Sequence, residues 1–252
     1  MGKLEIKDVN KSFAQPGSNV VLSVLEHVNL EAQSGEFVSV VGPSGCGKST
    51  LLRAIAGFNL PTSGEVVLDG KVVEGPDPNR GMVFQKSGLF PWLTVEKNIS
   101  FGPRMRGETE GLADRVTQML KLAGLESFRD TYPHQLSGGM AQRVALVRTL
   151  INEPEVLLLD EPLGALDAFT RMNMQDVILD MWRSQNAITM MVTHDIDEAI
   201  YMGTKVVVMA PRPGRVVEEI NIDLPYPRNR SGEKFTEYRT RILNRLSLGH
   251  AD

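Results

Sequence analysis

Residues 42–50 read Gly42-Pro43-Ser44-Gly45-Cys46-Gly47-Lys48-Ser49-Thr50, directly after the apolar run FVSVV and directly before the helical pattern LLRAIAGF. A glycine-rich turn between a strand and a helix fits the phosphate-loop template G-x-x-x-x-G-K-[ST] without a gap, with Gly42, Gly47, Lys48 and Ser49 at the fixed positions. Backbone N–H groups must turn inward around a phosphate, and glycine removes the side chains that would block them while tolerating positive φ. The helix that follows aims its free N–H groups and the positive end of its dipole at the same anion. Lys48 is expected to reach the β- and γ-phosphates and the Ser49 hydroxyl to ligate Mg²⁺, with Pro43, Ser44, Gly45, Cys46 and Thr50 completing the wall of the loop.

The 252 residues suffice for one large α/β domain with a smaller inserted lobe. A net charge of −4 supplies no global attraction to nucleic acid or anionic lipid, and no nucleic-acid partner is expected. The single cysteine, Cys46, excludes an intramolecular disulfide and suits a reducing compartment. Its place in the loop predicts that a bulky thiol reagent blocks nucleotide binding. The start MGKLEIKDVN has no apolar stretch of the secretory kind, and no apolar run approaches the length of a membrane span, so the chain is expected to be soluble when alone.

Extended signals in LEIKDVNKSF and SVLEHVNLEA flank AQPGSN, which reads as a hairpin loop. GEVVLDGKVV reads as two strands joined by an Asp69-Gly70 turn. RGMVFQ predicts a short strand ending at Gln85. From Val95 to about Asn152 the pattern turns helical, punctuated at Gly102, Gly107, Gly111 and Gly124 and broken at Pro133, so a helical lobe interrupts a strand-rich core. The runs VLLLD and AITMMVTH are continuously apolar, as in parallel strands buried on both faces. Between them Met172, Val177 and Met181 are expected on one helix face, and Met172, Met174, Met190 and Met191 read as core fillers. KVVVMA and GRVVEEI surround the turn PRPG. The tail arginines Arg228, Arg230, Arg239, Arg241 and Arg245 alternate with acids and read as a solvated face.

The run VLLLDEP ends in adjacent carboxylates at the carboxyl end of a central strand, where ligands of open α/β sheets bind. Asp160 suits holding Mg²⁺ and Glu161 suits orienting or deprotonating a water that attacks the γ-phosphate. In LSGGMAQR, Ser137 can cap a helix while Gly138 and Gly139 leave N–H groups bare, a second anion-binding helix start. Phe90, Pro91 and Trp92 form an apolar cluster in a loop and predict an interface.

With these motifs in this order, the chain resembles the ATP-binding subunit of ABC transporters over residues 3 to about 222. The resemblance implies an α/β fold: a P-loop NTPase (RecA-like) core with a parallel sheet, an antiparallel β subdomain, and a helical subdomain inserted at about 92–152. Residues 223–252 would form a peripheral tail. It implies a head-to-tail dimer holding two ATP molecules, each between one copy's phosphate loop and Ser137, Gly138 and Gly139 of the other. By the same resemblance Phe13 stacks on adenine, Gln85 senses Mg²⁺ and the attacking water, Asp167 of GALD crosses the dimer interface, and His194 contacts the γ-phosphate. Met140, Gly164 and Phe13 stand where the family more often has glutamine, serine and tyrosine, and none of these departures removes a charged or metal-binding group.

The stretches VFQKSGLFPWLTVEKNISFG, DEPLGALDAFTR and MAPRPGRV most resemble the importer subunits for nitrate, sulfonate and taurine. That resemblance implies a motor on the cytoplasmic face of the inner membrane, bound to permease subunits and served indirectly by a solute-binding protein. Two other classes are a soluble ABC ATPase of DNA repair or translation and a non-hydrolysing regulatory module. The single cassette without a basic stripe opposes the first, and intact Glu161 and His194 oppose the second.

Overall fold

The computed structural model describes residues 2–14, 17, 20–164 and 166–248. Strands β1 (Lys3–Ala14), β2 (Val21–Gln33), β4 (Ser63–Leu68) and β5 (Lys71–Val72) form an antiparallel sheet in the order β2-β1-β4-β5. A second sheet runs β10-β9-β3-β8-β7-β6, built from β3 (Phe37–Val41), β6 (Arg80–Val83), β7 (Val156–Asp160), β8 (Ile188–Val192), β9 (Lys205–Ala210) and β10 (Arg215–Asn221). Within it β9, β3, β8, β7 and β6 are parallel, and only β10 pairs antiparallel.

Every residue of β3, β7 and β8 is buried. Because successive strand side chains point to opposite faces, each apolar run is divided between two cores. Val38, Val40, Val156, Leu158, Met190 and Val192 pack with α1 (Lys48–Ala56) and the antiparallel sheet. Phe37, Val41, Leu157, Leu159 and Met191 pack on the other side with α5 (Ala168–Gln185), α6 (Ile196–Met202) and α7 (Glu233–Leu248). Continuous apolarity is therefore the signature of covering on both sides.

Between β6 and β7 the chain leaves the sheet to build α2 (Val95–Met105), α3 (Leu112–Ala123) and α4 (Gly138–Leu150) around a separate core that includes Ile99, Leu120, Leu125 and Val147. Thr94 caps α2, and left-handed glycines at 111 and 124 bound α3. Gly102 does not punctuate this lobe as expected. It lies inside α2, where a Cβ would run into the amide of Asn152. Asn152 accepts from Arg106 and donates to Arg148 O, so Gly102 gives room to a bridge between α2 and α4.

Asp69 and Gly70, both at positive φ, turn β4 into β5 as the Asp-Gly signal predicts. Most of the AQPGSN loop lies outside the described residues. On α5, Met172 is 51% exposed and leaves the expected face, because five residues separate it from Val177 and turn it away; the buried row runs through Met174, Ile178 and Met181. Among the described residues no helix is long and apolar enough to cross a membrane.

The segment after residue 222 is not peripheral. Phe235 and Ile242 of α7 are buried in the same core as β7 and β8. Arg228 is buried too, donating to the carbonyls of Ile200, Ile222, Gly203 and Leu224. Arg239 grips Asp197 with two nitrogens, and Arg241 and Arg245 share Glu218. Of the arginines read from the sequence as solvated, Arg241 and Arg245 do stay exposed, whereas Arg228, Arg230 and Arg239 turn inward and fasten the tail to the domain. Phe235→Ala should destabilise the fold by about 3–5 kcal/mol in urea denaturation, the cost of truncating a buried aromatic; a change within about 0.5 kcal/mol, as at a surface position, would return the tail to the periphery.

Candidate functional site

The sheet order places four loops side by side at the carboxyl edge of its parallel strands. Loop 42–50 follows β3, His194 follows β8, Asp160 and Glu161 end β7, and Gln85 follows β6. Neighbours in the sheet, rather than in the sequence, make the site. In open α/β folds this edge is where ligands bind.

In the first loop Gly45 and Gly47 have φ of 79° and 90°. A Cβ on Gly47 would come within 2.5 Å of Leu25 Cδ2, so both sterics and dihedral require glycine there. Lys48 is the first residue of α1, and its Nζ donates to Gly42 O at 2.7 Å and Pro43 O at 3.0 Å, which curls the ammonium inside the loop. Ser49 Oγ donates to Asp160 Oδ1 at 2.8 Å, binding the loop to the end of β7. Burial pushes the Asp160 carboxyl up from its usual range, and the Ser49 hydrogen bond and the Arg53 charge oppose that.

Cys46 does not line the outer wall of the loop. Its side chain is buried in the core beneath, beside Gly42, and burial raises the thiol. The expectation that a thiol reagent reaches it in the folded chain is thereby overturned, since only an accessible thiolate reacts readily.

Glu161 adopts φ of 48°, a left-handed conformation that costs a residue other than glycine about 1–3 kcal/mol and gathers at functional sites. Its amide donates to Val192 O, and Gln85 Nε2 donates to its Oε2 at 2.9 Å. His194 Nδ1 lies 3.6 Å from the same oxygen. Gln85, Glu161 and His194, read separately from the sequence, thus converge on one carboxylate oxygen. A carboxylate so placed, partly exposed and held from two sides, is equipped to accept a proton from a water.

Other predicted residues lie apart from this cluster. Ser137 Oγ accepts from Met140 N and caps α4, with Ser137 and Gly138 exposed. A Cβ on Gly139 would meet Leu166 Cδ2 at 2.8 Å, so LSGG and GALD of one chain touch each other. Asp167 caps α5 by accepting from Thr170 N at 3.0 Å, and that hydrogen bond holds its carboxyl below the usual range. Ala165 of GALD is outside the described residues. Phe13 is half-exposed near the end of β1, with Lys11 Nζ 5.1 Å above its ring. A cleft of about 720 Å³ opens at the opposite, amino edge of the strands, lined by Gly2, Asp69, Glu155 and Asn186, and brings none of these groups together.

Three positioning residues were not singled out in the sequence. Buried Gln142 donates to Phe84 O and pins the backbone just before Gln85. Buried Asn98 bonds both the N–H and the carbonyl of Phe90, and Arg148 donates to Ser87 O and Gly88 O. They hold the loop that presents Trp92, which is 69% exposed beside the ring of Phe90, itself packed on Phe101. Gln142 was within reach of the sequence as a polar residue on the inner face of a capped helix, and Asn98 bonds carbonyls only four to eight residues before it; Arg148 acts on carbonyls sixty residues away and leaves no local signal.

The family model described as ABC transporter matches residues 25–164. Over 97% of its length the chain is 49% identical to an uncharacterized ABC transporter ATP-binding protein of Methanocaldococcus jannaschii, covering 91% of that protein. It is 44% identical over 98% of its length to the aliphatic sulfonates import ATP-binding protein SsuB of Bacillus cereus, covering 96% of it. It is likewise 44% identical over 98% of its length to the taurine import ATP-binding protein TauB of Jannaschia sp., covering 94% of it. A dimeric ATP-binding cassette in a post-hydrolysis state with ADP and phosphate superposes with a TM-score of 0.77 at 33% identity, over 87% of this chain and 98% of that one.

At pH 8 a bulky maleimide should leave Cys46 of the native protein largely unmodified and label it fully in urea, as read by intact-mass spectrometry. Stoichiometric labelling of the folded chain would place the thiol on the surface after all.

Proposed function

Because the chain belongs to the ABC transporter family, as an ATP-hydrolysing subunit of an importer, we propose that it drives uptake of a small sulfonate-like anion through the cluster formed by Lys48, Ser49, Gln85, Asp160, Glu161 and His194. The observation that carries the assignment of roles is the convergence of Gln85 and His194 on the Glu161 carboxylate, one residue from the Ser49–Asp160 pair.

In this reading Lys48 exchanges its loop carbonyls for the phosphates of ATP, and the N–H groups from Gly45 to Thr50 surround the anion. The pair Ser49 Oγ and Asp160 Oδ1 fits Mg²⁺: both are hard oxygen donors already adjacent, and the buried carboxylate lacks a full counter-charge. When bound there, Mg²⁺ neutralises phosphate charge during transfer to water. Gln85 fixes the orientation of Glu161, Glu161 takes the proton of the attacking water, and His194 stands where it can donate toward the γ-phosphate. Phe13 supplies an aromatic face for adenine.

The exposed Ser137 and Gly138, with Gly139 beside them, would serve the ATP held by a second copy, with Asp167 at the same interface. What supports this is the outward presentation of a helix start whose side-chain cap leaves further N–H groups free. The apolar patch of Phe90, Trp92, Phe101 and Met105 would dock the permease subunits, which in turn receive solute from a binding protein. These contacts would hold the chain at the cytoplasmic face of the membrane. The solute class rests on the names of the relatives, sulfonate and taurine importers, because none of the roles given to the cluster touches the solute.

Glu161→Gln keeps the shape and removes the base. ATP binding should survive, turnover should fall by roughly 10²–10⁴-fold, and the protein should accumulate as an ATP-bound dimer in light scattering. Wild-type ATPase activity from this variant would take Glu161 out of the reaction.

A further inference from the structure

His194 is flanked by two residues whose placement is decided elsewhere. Thr193 is buried, and its hydroxyl accepts from Asp195 N at 3.0 Å, while Asp195 Oδ1 accepts from Glu198 N at 3.1 Å. Glu198, buried in α6, accepts at Oε1 from Gln175 Nε2 at 3.1 Å. Gln175 is a buried residue of α5, and its Oε1 accepts from Arg230 Nη2 of the tail. Arg230 is fixed in turn over the ring of Tyr201, 3.9 Å from its centroid. The chain Arg230–Gln175–Glu198–Asp195–Thr193 therefore runs without a gap from the tail to the residues on either side of His194. Arg239, bonded to Asp197, and Arg171, 3.5 Å from Asp195, hold the same helix start from α7 and α5.

On the reading of His194 given above, we infer that Arg230 and Gln175 are positioning residues for it: the tail after residue 222 sets the place of the histidine relative to Glu161. Gln175 and Glu198 are buried, so loss of one partner strands a polar group and the loop must shift to satisfy it. The histidine itself is 66% exposed and has no packing of its own to keep it in place. A shift of about 1 Å at a catalytic group can cost on the order of 10²-fold in rate without contact to substrate.

The test uses the full chain with Arg230→Met, Arg230→Lys and Gln175→Leu, reading the His194 Cε1–H resonance by NMR, with His194→Ala to assign it, and ATPase kinetics. Arg230→Met and Gln175→Leu should move or broaden that resonance and lower kcat by roughly ten- to a hundredfold, leaving KM for ATP within about twofold. Arg230→Lys should recover much of both. A lower melting temperature with an unmoved His194 resonance would mark these residues as merely structural and overturn the inference. Full activity in His194→Ala would instead overturn the catalytic reading of the histidine, while a displaced resonance in Arg230→Met would still show the coupling.

Discussion

Two-sided burial of three parallel strands is the constraint on which the rest of the structure depends. β3, β8 and β7 lie side by side with every residue covered, so none can slip in register without driving apolar side chains out of one core and into the other. The residue that ends each strand is therefore fixed in height and direction. The phosphate loop, His194 and the Asp160–Glu161 pair inherit that precision because they begin where the strands stop. The left-handed turn at Glu161 is sustained by the same packing, since its amide is paired to Val192 O of the neighbouring strand.

Charge is buried at Lys48, Asp160, Glu198 and Arg228, and each instance is compensated differently. Lys48 is satisfied by carbonyls of its own loop, partners that a phosphate can replace. Asp160 has a single hydroxyl partner and a raised carboxyl, the signature of an anion set beside a place for a cation. Arg228 and Glu198 are locked into several hydrogen bonds and have no such freedom. Groups with exchangeable partners lie at the sheet edge, and groups with fixed partners lie behind them. That division separates the reacting surface from its support.

Wherever chemistry depends on neighbouring residues, the chain was legible: the loop 42–50, the cap Ser137, the Asp69-Gly70 turn and the continuous apolar strands were all readable locally. What escaped depends on contacts far apart in sequence. Gly102 looked like punctuation because the amide of Asn152 that needs its space is fifty residues away. Cys46 looked open to a thiol reagent because the sequence gives its neighbours and not the direction of its side chain. Arg228 and Arg230 looked solvated because alternating charge is usually a wet face, whereas here the carbonyls of Ile200 and Gly203 and the amide of Gln175 draw the guanidinium groups inward. Burial of an arginine by carbonyls leaves no pattern in its own segment.

The loop from Gln85 to Trp92 joins both kinds of surface. Its first residue bonds the Glu161 carboxylate and its last presents an indole to the outside, and the stretch between is braced by Gln142, Arg148 and Asn98. A flexible loop would dissipate any change at Glu161, because loosely held residues relax independently. Here Gln142 and Arg148 belong to α4, the helix that Ser137 caps, so the loop and the LSGG start are tied to one rigid element. In the proposed dimer, closure of a partner's ATP site on Ser137 would push α4, and α4 would carry Gln85 and the Trp92 patch with it. Coupling between nucleotide and permease then requires no movement within the sheet, only a tilt of the helical lobe against it.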